Sequence, residues 1–202
     1  MGQRKTFRFF KPMRRWVTRM MCIAGLVFSA ALPAWIGPVD EDLLLDTPWA
    51  VAGSEWRVDP WLLYAITLEE SAQLDRQRGV LMPWPYIVHR AGTVHRFDSH
   101  AQAKAFIREL EGQKLTNFDV GPLQINHHWH GDAVDDPTEW LSVSHSLDYA
   151  ARLLDWSIRR NPDDIELAIG WYRSMQEQTA REYARSILEL RRQLPGDAKK
   201  LR

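Results

Sequence analysis

One cysteine, Cys22, serves all 202 residues, and it lies inside an N-terminal apolar run. A chain so composed cannot staple itself with disulfides or build a cysteine metal site, so its fold must rest on a hydrophobic core alone. The apolar run, "MMCIAGLVFSAALPAW" from Met20 to Trp35, follows Arg4, Lys5, Arg8, Lys11, Arg14, Arg15 and Arg19. A basic flank, a short apolar stretch and small residues at Ser29, Ala31 and Ala34 read as a secretion signal, either cleaved or kept as an anchor. Residues 1–34 are therefore set aside from the fold, and membrane contact is expected only through an uncleaved signal. The destination predicted is a bacterial periplasm.

Setting the signal aside changes the charge. The first 34 residues hold seven of the 26 basic residues and none of the 26 acids, which leaves 19 against 26 and a formal charge of −7. The neutrality of the whole chain conceals an acidic domain, and nucleic acid is not an expected partner. Ten tryptophans fit core packing first and sugar stacking second.

Residues 35–55 are acidic and irregular and read as a linker, 56–194 as the domain and 195–202 as a basic tail. In "VDPWLLYAITLEES" Asp59 is a good N-cap and Pro60 a good first helical residue. Leu63, Ile66 and Glu70 share one face of this helix; Leu62, Ala65, Ile66 and Glu69 share the adjacent one. One glutamate ends a core-facing stripe, and periodicity leaves open which. A carboxyl so placed resists ionisation and can serve as a proton donor near neutral pH. Tyr86–Arg90 and Thr93–Phe97 flank Ala91-Gly92 as a hairpin. Ser99 caps a helix to about Glu111, ended by Gly112, with Ala103, Phe106, Ile107 and Leu110 inward. Three helices close the chain: Ser146–Arg160, Asp163–Met175 and Thr179–Leu194. The basic pattern on the last also fits a membrane-surface helix, although packing on its own core explains the stripe.

"NFDVGPLQIN", Asn117–Asn126, places two amides after a glycine. Gly121 permits close backbone approach to a ligand, and Gln124 can donate and accept at once, which suits hydroxyl and N-acetyl groups. Asn126 either does the same or caps a turn. Asp119 reads as an Asx turn rather than a second catalytic carboxylate. His127, His128 and His130 raise zinc as an idea, but neighbouring histidines diverge and no HExxH motif accompanies them; no metal or other cofactor is expected.

"AITLEESA", then "DVGPLQIN", then "AIGWYRS" resembles the lytic transglycosylase family, muramidases with a lysozyme-like soluble-transglycosylase domain. "PWPYIVHRAG", "HRFDS" and "NFDVG" resemble the branch associated with conjugative elements and secretion systems. The ordered motifs span about residues 56–190. The resemblance implies a mostly α, lysozyme-like α+β domain with a small β-hairpin insertion. It assigns Glu70 as catalytic acid/base, with Ser71 orienting it or the sugar, Gly121, Leu123 and Gln124 binding substrate beside Asn126, and Tyr172 reaching toward the acid or the N-acetyl group. It implies cleavage of the bond between N-acetylmuramic acid and N-acetylglucosamine in peptidoglycan, with a 1,6-anhydromuramyl end. The expected partners are glycan strands and proteins of a secretion or conjugation apparatus. A non-catalytic, peptidoglycan-binding assembly factor of an envelope-spanning machine is the alternative. Pro122, Trp171 and Arg173 depart from the family pattern, and bear on substrate preference more than on fold.

Overall fold

A computed structural model describes residues 44–77 and 79–195. The readings of residues 1–34 and of the tail beyond Pro195 lie outside the described residues.

The expected linker ends sooner than the sequence suggested. Pro48–Trp56 forms helix α1, with the Thr47 hydroxyl accepting from the Ala50 N–H and Arg57 closing it in the left-handed region. Pro48 and Gly53 hide this helix from a propensity reading, yet Pro48 stands in the first turn, where a missing N–H costs nothing. Gly53 is needed for contact: a Cβ there would lie 2.7 Å from the Val58 carbonyl oxygen. The Trp49 indole N–H donates to the buried Thr67 hydroxyl at 3.0 Å, so α1 is fastened to the next helix.

Helix α2, Pro60–Ser71, begins where expected, capped by Asp59. Leu62, Leu63, Ala65 and Ile66 have no exposed surface. A helix apolar on nearly every side is a central one, and α2 packs against α1 and the last helix. Asp59 also accepts from Arg191 Nε at 2.5 Å, and the Arg191 side chain is 2% exposed. That pair joins the start of α2 to the end of the last helix.

The chain then makes two hairpins, where one was expected. β1 (Ala72–Asp75) and β2 (Val80–Pro83) pair antiparallel directly after α2. Their weak alternation and exposed Leu74 and Leu81 made them inconspicuous in sequence. β3 (Ile87–Arg90) and β4 (Thr93–Arg96) form the expected hairpin. Ala91 and Gly92 both have positive φ, +49° and +83°, as a two-residue turn matching strand twist requires. β3 pairs on its other edge with β5 (Asp119–Val120), and β5 with β6 (Ile125–Asn126), giving the order β4-β3-β5-β6. The Gly121–Gln124 turn is thus held at one end of a sheet.

Between these strands lies α3, His100–Gly112, capped by Ser99, with Ala103, Ile107 and Leu110 buried. Gly112 is its last helical residue, and the left-handed turn falls on Lys114. A helical turn, α4 (His127–His130), follows β6, and a 3-10 turn spans Pro137–Leu141. Trp140 has no exposed surface and Trp61 is 6% exposed, in line with the packing reading of tryptophan, whereas Trp129 is 43% exposed.

The last three helices are α5 (Val143–Arg160), α6 (Ile165–Gly170) and α7 (Glu177–Gln193). α6 is shorter than the Asp163–Met175 helix expected. The Tyr172 and Arg173 N–H groups bond back three residues, to Ile169 and Gly170, so the helix tightens and ends. Gly170 lets α7 approach: a Cβ there would lie 2.2 Å from the Ala180 carbonyl oxygen. The described residues are mostly helical with small antiparallel sheets.

Candidate active site

The choice between Glu69 and Glu70 is decided by packing. Glu69 is exposed and accepts from the Ser186 hydroxyl at 3.1 Å. Glu70 turns inward at the end of α2, and its side chain is 8% exposed. α7 brings Tyr183, whose hydroxyl donates to Glu70 Oε1 at 2.8 Å. The turn after α6 brings Arg173, with Nη1 3.9 Å from Oε2. Burial raises the Glu70 pKa to about 7; Arg173 and the Tyr183 hydroxyl pull it down, and the charges of Glu69 and Asp119 add a smaller upward push. Burial wins because the carboxylate gains one hydrogen bond and one loose cation in exchange for its water.

Glu70 lines a cleft of about 90 Å³ together with Gln124, Ile125, Asn126, His130, Leu153, Tyr172 and Arg173. The sheet end supplies the amides, α4 the histidine, α5 the leucine, and the turn after α6 Tyr172 and Arg173. Gln124 is itself left-handed, φ +44°, with its backbone N–H and its Nε2 both donating to the Gly121 carbonyl, at 3.1 and 2.8 Å. A non-glycine residue held there stores strain, which surrounding structure must support.

Other residues assigned from sequence take different parts. Ser71 is fully buried and its hydroxyl donates to the Thr67 carbonyl at 2.9 Å, so it completes α2 instead of orienting the acid or a sugar. Gly121 is buried, and the space a Cβ would fill holds the Trp140 carbonyl; its openness serves internal packing rather than a ligand. Leu123 has no exposed surface and contributes its carbonyl, which accepts from the Tyr172 hydroxyl at 2.6 Å. Tyr172 lines the cleft but spends its hydroxyl on that carbonyl and stacks on Tyr183, ring centroids 6.3 Å apart. Asn126 caps α4 through Trp129 N–H and donates to Asn117 and Asp119, so the turn-capping alternative describes it, at the edge of the cleft. Asp119 is no Asx turn: it sits on β5, with Oδ2 3.1 Å from His89 Nδ1 and Oδ1 accepting from Asn126 at 2.7 Å.

The three histidines separate. His128 Nδ1 lies 3.0 Å from the Thr116 hydroxyl, His127 packs on Phe118, and His130 Nδ1 lies 2.8 Å from the Tyr149 hydroxyl. Burial pushes His130 down to about 4, so its ring is neutral. Among the described residues no group of three His, Cys, Asp or Glu side chains could hold a metal ion.

Tyr183 was missed as a site residue. In sequence it belongs to the apolar stripe with Ile187 and Leu190, and it packs as one of them. Its hydroxyl was the available signal, because a buried phenol on such a stripe needs a polar partner. Replacing Tyr183 with Phe removes the donor that favours the carboxylate, so Glu70 should titrate higher, by about one pH unit for a hydrogen bond to a charged group. Side-chain carboxyl NMR across pH 5–9 measures this directly.

No family model, curated protein or solved structure matches the chain. The reading of the cleft therefore rests on its own chemistry and on the motif resemblance.

Proposed function

We propose that this protein is a peptidoglycan lytic transglycosylase with a lysozyme-like α+β domain, acting in the periplasm. The observation that carries the reading is Glu70: a carboxyl buried in a cleft, held near neutral pKa by burial, with amide side chains beside it. Tyr183 occupies Oε1 as a donor, which favours placing the acidic proton on Oε2. Glu70 gives that proton to the glycosidic oxygen between N-acetylmuramic acid and N-acetylglucosamine. The muramyl N-acetyl group supports the cationic centre at C1. The resulting carboxylate, steadied by Tyr183, takes the proton of the C6 hydroxyl as that oxygen bonds to C1. The 1,6-anhydro ring closes, no water is consumed, and Glu70 is again protonated. An intramolecular hydroxyl outcompetes water through its effective concentration.

Such a reaction uses one carboxyl where most glycosidases use two. No second carboxylate lines the described cleft. Asp119 is close enough for its charge to raise the Glu70 pKa, which makes hydrolysis the rival reading. Digestion of purified peptidoglycan, read by mass spectrometry, separates them. The expected result is 1,6-anhydromuramyl products from the wild type and from Asp119→Asn. Products one water heavier, lost in Asp119→Asn, would establish a hydrolase with Asp119 as the second carboxylate. Binding without cleavage by a folded protein would favour the assembly-factor role. The biological setting we propose, local wall remodelling for a secretion or conjugation apparatus, rests on the resemblance of residues 83–92, 95–99 and 117–121 to that branch of the family.

A further inference from the structure

The charges of the cleft wall do not balance. Several arginines are tightly engaged: Arg181 lies 2.8 Å from Asp164, Arg159 2.8 Å from Asp155, and Arg185 3.0 Å from Glu166. Arg173 is different. Its side chain is 39% exposed, and its one ion pair among the described residues is the 3.9 Å contact with Glu70. That is well beyond a charge-assisted hydrogen bond. When Glu70 holds its proton, Arg173 faces a neutral acid. His130, the other titratable group of the wall besides Glu70 and Tyr172, is neutral as well. Asp119 has both oxygens engaged, by His89 and Asn126. The primed cleft thus offers an unmatched guanidinium beside the proton donor.

Resting on the transglycosylase reading above, we infer that Arg173 receives the lactyl carboxylate on C3 of the reacting N-acetylmuramic acid, and so selects glycan strands without stem peptides. A guanidinium presents paired donors that match a carboxylate. The lactyl group belongs to the ring whose glycosidic oxygen Glu70 protonates, so acid and substituent meet on one sugar, and a cation lining the same cleft is placed to reach it. In a stem-bearing strand the lactyl carboxyl is an amide and carries no charge; the carboxylates of the peptide lie further along the stem. The class of reaction that supplies the preferred substrate is hydrolysis of the amide between the lactyl group and the peptide. A bound anion also favours the protonated form of Glu70, which keeps the acid loaded until its substrate is seated.

The test is calorimetric binding to the full chain carrying Glu70→Gln, with and without Arg173→Gln. The probes are an alternating N-acetylglucosamine–N-acetylmuramic acid tetrasaccharide with free lactyl groups, the same tetrasaccharide with stem peptides, and an N-acetylglucosamine tetrasaccharide. The free-lactyl probe should bind about tenfold tighter than either of the others, and Arg173→Gln should remove that advantage while leaving the N-acetylglucosamine probe unchanged. Equal weakening of all three probes, or no change, overturns the inference. Loss confined to the stem-bearing probe moves the contact to a stem carboxylate and also overturns it. Failure of every probe to bind a folded Glu70→Gln protein with Arg173 intact removes the transglycosylase reading itself.

Discussion

On the proposed transglycosylase reading, Glu70→Gln should abolish glycan cleavage, by about a thousandfold or more, and at the same time make the protein more stable at alkaline pH. The first effect follows from losing the acid and the base together; general acid–base catalysis alone is worth roughly 10²–10⁴. The second follows from burial. Glu70 titrates near 4.5 when unfolded and at about 7 in the fold. A raised pKa supplies stability that is complete below 4.5 and lost as pH rises through 7, by about 3 kcal/mol for such a shift. A glutamine keeps the acceptor for Tyr183 and has no proton to lose, so it escapes that loss. The Tm advantage of Glu70→Gln over wild type should therefore grow by roughly 5–10 °C between pH 4 and pH 8.

His130 gives this prediction a second signature. Its pKa is lowered to about 4 from 6.5, so its contribution is present above 6.5 and is lost as pH falls toward 4. Between about 4.5 and 6.5 the two groups act in opposite directions, and their contributions to wild-type stability nearly cancel. Glu70→Gln should leave the His130 slope exposed, with stability rising across that interval. Thermal unfolding at half-unit pH steps reads both effects. A Glu70→Gln advantage independent of pH would mean that Glu70 is not buried as an acid.

The largest structural effect is expected at Gly121. Alanine there would place its Cβ 1.8 Å from the Trp140 carbonyl oxygen, at a residue with φ +78°. The unfavourable backbone conformation costs about 1 kcal/mol. The overlap costs more, because the opposing atom is backbone in the Pro137–Leu141 turn and cannot rotate away. The expected total is about 3–5 kcal/mol. Gly92→Ala is the control. It has φ +83°, and a Cβ there meets nothing within 4 Å, so it should lose only about 1 kcal/mol. Urea unfolding of both variants separates the clash from the dihedral. Similar losses at the two positions would show that the Trp140 contact yields easily.

Local chemistry made some of this site legible. Asp59 and Pro60 fixed the start of α2, and the turn residues Ala91 and Gly92 fixed one hairpin. The stripe on α2 narrowed the acid to two neighbours but could not choose between them, since the choice belongs to α7 and the turn after α6. Helix α1 was missed because its stability comes from docking, through the Trp49 indole and the close approach at Gly53. Gly121 was noticed for a sound reason and given the wrong neighbour: sequence shows that a glycine needs room without showing what fills it. The tyrosine pair was half read for the same reason. Tyr172 was named from a motif, whereas Tyr183 was absorbed into a core pattern that describes its ring and says nothing of its hydroxyl.

The contact between Tyr183 and Glu70 spans 113 positions of chain. A ribosome has therefore long finished the acid before it makes the side chain that holds it. Until α7 docks, Glu70 lacks both the enclosure that raises its pKa and the phenol that aims it, so a growing or truncated chain is an ordinary solvated glutamate at this position. A non-local contact of this kind requires a long loop to close before it is rewarded. On the proposed reading, chemical competence is tied to the docking of α7, the last helix of the described residues to be made.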